Sequence, residues 1–138
     1  MDIDTIIEKS VIKFPRPLKV KKVEALLVYM AENISVNIEY NKSSDVKLTR
    51  ESMHDEFSGF VPKKTYRRSL KGTITSTTDF TISESFSCEY VPNKYKQFDS
   101  IQFLTSSGNI PKYKEEKLLK FFEDIHEVVD KYFSKTNN

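Results

Sequence analysis

Between residues 66 and 90 polar and apolar residues alternate almost without a break, and this constrains the fold more than any other feature. Tyr66, Leu70 and Ile74 share one parity, with Gly72 between them, against Arg67, Ser69, Lys71, Thr73 and Thr75. Phe80, Ile82, Phe86, Cys88 and Tyr90 continue that parity, against Thr81, Ser83, Ser85, Ser87 and Glu89. A period of two belongs to strands with one face buried and the other in water. The pattern predicts an antiparallel pair that needs an apolar cover on one side. A loop at Thr75-Ser76-Thr77 sets Tyr66 opposite Phe86, Leu70 opposite Ile82 and Gly72 opposite Phe80. The two charged residues on the apolar parity, Arg68 and Glu84, then meet as a cross-strand ion pair, and Phe80 covers the strand glycine.

The cover comes from the C-terminal end. Over residues 113 to 133, Leu118, Phe122, Ile125, Val129 and Tyr132 recur at spacings of three and four, and Phe121, Val128 and Phe133 widen the stripe. That is a helix lying on a core. Glu115 and Glu116 in its first turn, and Lys131 and Lys135 near its end, suit the helix dipole. A shorter helix is expected over residues 2 to 13, where Asp2 or Asp4 can cap it and Ile3, Ile6, Ile7 and Val11 keep helical spacing. Phe14-Pro15-Arg16-Pro17 is expected to end it.

Residues 20 to 31 fit two periods. Val20, Val23, Leu27 and Met30 make a helix face, whereas Val23, Ala25, Leu27, Tyr29 and Ala31 make a strand face. The next segment alternates Ile34, Val36, Ile38 and Tyr40 with Ser35, Asn37 and Glu39. A turn at Glu32-Asn33 would bring the two apolar faces into register, which slightly favours a long hairpin here. Residues 41 to 63 read as a short strand and a long loop. Phe98 to Thr105 has apolar groups on both parities, as a central strand or a helix-covered one does. Together the elements predict an α+β fold: an antiparallel sheet of about five strands, with an N-terminal helix and a long C-terminal helix packed on one face. At 138 residues the chain suits a single domain over 1–138.

Charge is unevenly spread. Residues 9 to 23 carry Lys9, Lys13, Arg16, Lys19, Lys21 and Lys22 with no acid, and residues 57 to 78 carry Lys63, Lys64, Arg67, Arg68 and Lys71 with none. Between them lie Glu24, Glu32, Glu39, Asp45, Glu51, Asp55 and Glu56 against Lys42, Lys47 and Arg50. Such blocks set up local fields that bind a charged partner. A lone Cys88 points to a reducing compartment, and the acidic start, Met1-Asp2-Ile3-Asp4, lacks the form of a secretory peptide. The longest apolar run, Ala25 to Ala31, is far short of the roughly 20 residues of a membrane span. The expectation is a soluble, cytoplasmic protein that makes no membrane contact.

Candidate chemistry is sparse. His54-Asp55-Glu56 puts a histidine beside two carboxylates, but neighbours on a strand point apart and a metal needs three or four converging ligands. His126 lies three after Glu123 and four before Asp130, a spacing that stabilises a helix. Cys88, on an apolar strand parity, reads as a small hydrophobe. Glu115-Glu116-Lys117 has the Glu-x-Lys spacing of some nucleases, at a helix start instead of on a strand. No phosphate-binding glycine loop, nucleophile elbow or metal-ligand spacing is present. No catalytic residue, metal or cofactor is therefore expected, and the chain reads as a non-enzyme.

By elimination the sequence predicts a protein-binding module of inhibitor, immunity, antidote or adaptor type. It would dock another protein through Lys63, Lys64, Tyr66, Arg67 and Lys71, with Asp55 and Glu56 beside them. One alternative is a nucleic-acid accessory protein, in which the basic strand 63–71 and the segment 19–22 hold phosphates while Tyr66 stacks on a base. Against it stand a net charge of +2 and a pI near 8.5. Another is a structural subunit of a larger assembly joined through strand edges. Monomer and homo-oligomer stay equally open.

Overall fold

The structure, a computed structural model, describes residues 3–55, 59–92, 94–103 and 110–136, with side chains described outside 43–68, 94, 95 and 136. A short helix α1 (Ile3–Lys9) leads into strand β1 (Val11–Lys19), and helix α2 (Val20–Asn33) follows. Strands β2 (Val36–Asp55), β3 (Gly59–Ser76), β4 (Ser83–Val91) and β5 (Lys94–Phe103) come next. A 3₁₀ turn (Lys112–Lys114) opens the terminal helix α3 (Glu115–Thr136). The strands form one antiparallel sheet in the order β1-β5-β4-β3-β2. The α+β class, a five-stranded antiparallel sheet, the N-terminal helix and the long terminal helix are as the sequence predicts, whereas β1 and α2 stand where other elements were expected.

The period of two sorts the sheet into rows. One row of residues, Tyr40, Gly72, Phe86 and Phe103, crosses four strands on the core side, and Ile12, Ile101 and Cys88 form the next. Helix α3 lays its stripe against them: the ring of Phe103 lies 4.9 Å from Phe122, 6.1 Å from Phe121 and 6.3 Å from Phe86. Each such fully buried side chain contributes about 1.5–3 kcal/mol. His126, on the same helix, holds the end of α1, since its Nε2 donates to the Lys9 carbonyl at 2.9 Å. The opposite face bears the polar parity. Val11, Gln102, Ser87, Lys71 and Asn41 make a row across all five strands, and among the described residues no helix covers it.

Four expectations need correction. Residues 20 to 33 form a helix, not half of a hairpin, and its buried residues Val20, Val23, Leu26, Leu27 and Met30 follow the helical period while Ala25 and Ala31 are exposed. The proline-rich segment does not close a helix over 2–13; α1 stops at Lys9, and Phe14 to Pro17 lie inside β1. That strand is at the sheet edge, and its pairing with β5 shifts between Lys13 and Leu18, where missing donors do least harm. Residues 41 to 63 are not mainly loop: β2 runs on to Asp55 and pairs with β3 nearly to its tip.

The fourth correction is the β3–β4 register. Gly72 faces Phe86 and Ile74 faces Glu84, a displacement of six residues that preserves both faces. Glu84 shares its rung with Ile74, and Arg68 lies six residues further along β3, so the register does not set Arg68 opposite Glu84. Phe80 is 78% exposed in the connecting turn instead of lying over Gly72. Turn chemistry sets this register. Ser76 Oγ accepts from the backbone N–H of Thr78 and Asp79 at 3.2 and 3.1 Å, and Asp79 Oδ1 accepts from the N–H of Thr81 at 3.1 Å and its hydroxyl at 2.6 Å. Such side-chain bonds to nearby backbone replace ladder bonds and favour a turn.

Candidate functional site

The feature that leaves the body of the sheet is the β2–β3 hairpin. Its ladder runs from Val36 opposite Ser76 to Asp55 opposite Gly59, with one irregularity between Thr49 and Met53. β4 joins β3 from Lys71 to Thr75. Beyond Lys71, among the described residues, the hairpin continues as a two-stranded ribbon, an arm of about 40 Å at 3.3 Å per residue. A two-stranded ribbon alone is marginal in water and leaves backbone donors and acceptors open along its edges.

The arm gathers most of the residues that the sequence singled out. Lys63, Lys64, Tyr66, Arg67 and Lys71 lie on β3, and Asp55 is at the tip opposite Gly59; Glu56 lies outside the described residues. Strand alternation splits the β3 set. Positions 63, 67 and 71 share the register face that continues the polar, helix-free side of the sheet, whereas 64 and 66 share the face of Leu70 and Ile74. In the ladder Arg67 takes the position opposite Asp45. Lys71, at the arm's root, is exposed.

A polar cluster at the root ties the arm to α2, and short-range sequence patterns gave no sign of it. The Tyr40 hydroxyl donates to Glu24 Oε2 at 2.9 Å, and Lys42 Nζ bonds Glu24 Oε1 at 3.1 Å. The hydroxyl bond, helped by Lys42 and Lys21, holds the Glu24 carboxyl below its usual range, and the same bond pushes the Tyr40 phenol up. Lys21, from the segment 19–22, thus acts on the arm's root through the field at Glu24. Lys19 instead ends β1, where it pairs with Gln97.

Other candidates have structural roles. Cys88 is buried, and burial, with the Glu89 charge second, pushes its thiol up to about 12, so it stays protonated. Lys117, from the Glu-x-Lys match, bonds Asp79 Oδ2 at 3.1 Å and pins α3 to the β3–β4 turn. His54 stands opposite Phe60 in the arm's ladder. A cleft of about 450 Å³ opens beside α3, lined by Asn33, Ser35, Thr78, Phe121, Asp124 and Lys131 among others. The described residues hold no cluster of three or more metal-ligating side chains, and no described helix is long and apolar enough to cross a membrane.

No family model matches the chain, and no solved structure matches it. Among curated proteins it is similar to Mediator of RNA polymerase II transcription subunit 5 of Candida glabrata, 28% identical over 114 residues. The match covers 76% of this chain and 10% of that protein, so the chain spans about a tenth of the relative's length.

Proposed function

We propose that this chain is a non-enzymatic docking module that works inside the cell as a subunit or adaptor of a protein assembly. The observation that carries the reading is the arm: a ribbon with open edges, basic positions on β3 and an attachment to the body through Glu24. Its polar register face continues the helix-free face of the sheet, so one partner surface can meet both. The similarity to a protein named as a subunit of Mediator supports an assembly role over an inhibitor or antidote role. A lone buried thiol is at home in a reducing compartment.

The reading predicts that tagged protein captured at low salt from its source organism brings down one stoichiometric protein that survives nuclease treatment. Reversing Lys63, Lys64, Arg67 and Lys71 to Glu should slow association with that protein by roughly 10-fold or more and flatten its salt dependence. Capture of nucleic acid alone, with a steep salt slope on oligonucleotides, would replace docking by the nucleic-acid alternative.

A further inference from the structure

We propose that two copies of this chain associate through β2, edge to edge and antiparallel, about a two-fold axis at Ser43. β2 is the last strand of the sheet, with β3 on one side and, among the described residues, nothing on the other. An antiparallel two-fold at Ser43 pairs each position of β2 with its reflection in the second copy. Ile38 then faces Leu48, Tyr40 faces Val46 and Glu39 faces Lys47, each twice by symmetry. The two apolar rungs fall on the register face of the core, and the charged rung falls on the polar face. Opposed apolar pairs and opposed opposite charges are what stabilise neighbouring strands.

Within its own chain Glu39 is opposite Thr73 and Lys47 is opposite Thr65, so neither charge has an ionic partner across the hairpin rung. The second copy supplies one for each. It also supplies the strands that the arm lacks, because β3-β2-β2-β3 is a four-stranded ribbon, and three or more strands are needed for independent stability. The irregularity after Thr49 ends the complementary stretch just where the mirror pattern runs out. The proposal goes beyond docking and does not depend on it: the basic positions of β3 stay on the outer strands.

The test is the mass in solution of the full chain, by sedimentation across a wide concentration range. A monomer–dimer equilibrium is expected. Lys47→Glu places two acids opposite each other at both symmetric rungs and should weaken the dimer roughly 10-fold or more, and adding Glu39→Lys should restore it. Ser43→Cys should give a disulfide dimer under mild oxidation, since opposed residues about 4.5–5.5 Å apart at Cα lie in disulfide range. Thr49→Cys, about 40 Å from its own copy in this register, should not. Wild-type protein, with Cys88 buried, is the control. Monomer at every concentration, as when a foreign strand is the true occupant, overturns the proposal. So does a dimer indifferent to both charge reversals, or equal cross-linking at 43 and 49.

Discussion

Two residues in the sheet show how local chemistry decides what the chain tolerates. A Cβ on Gly72 would fall on the Glu39 carbonyl oxygen and lie 2.8 Å from Tyr40 Cα. These are backbone atoms of the neighbouring strand and cannot swing aside. Gly72→Ala should therefore part β2 from β3 and cost about 1–3 kcal/mol, read as a lowered urea midpoint. Glu84 is half-buried, and that burial raises its carboxyl pKa, with Lys114 partly offsetting it. The charged form is thus disfavoured in the folded state, a penalty present above the folded pKa and absent below the ordinary value of 4.5. Glu84→Gln should raise the melting temperature at pH 7 by about 1–2 °C, with the gain vanishing near pH 4. An equal gain at both pH values would rule out this cause.

Among the elements, those with one buried face were legible in the sequence. α3, the inner half of β3 and β4 each announce themselves by a period of 3.6 or 2, because burial imposes that period; β5, expected over 98–105 from apolar groups on both parities, runs over Lys94–Phe103. The 20–33 segment misled because Ala25, Tyr29 and Ala31 complete a strand parity; Leu26, beside Leu27, breaks that parity and completes the helix. β1 was hidden by Pro15 and Pro17, which an edge strand accepts and a central one rejects. The outer arm gave no alternation to read, since a ribbon without a sheet beneath it has no obligation to bury one parity. The basic site residues were visible as a strand, and their division between two faces follows from parity alone. The Glu24 cluster was not visible, because its partners are 16 and 18 residues away.

For the molecule as a whole, the surface is larger than a compact fold of its mass needs. The folded chain exposes 9245 Å², against roughly 7,400 Å² expected for a compact protein of this mass. The core described here lies in the body, from α1 through β5 to α3. Replacing residues 44–68 by Asn-Gly, the residues a tight hairpin turn prefers, keeps Ser43 opposite Ser69 and should leave the melting temperature within about 2 °C of wild type. A collapse of cooperative unfolding would mean that the arm is part of the folding unit. The two borders of the sheet differ in kind. Among the described residues β2 offers an open border, whereas β1 closes the other with two prolines that have no hydrogen to give. Strand addition can therefore begin on one side and has nowhere to continue on the other. Growth by this route terminates after a single step, and the same asymmetry that permits a pair forbids a fibre.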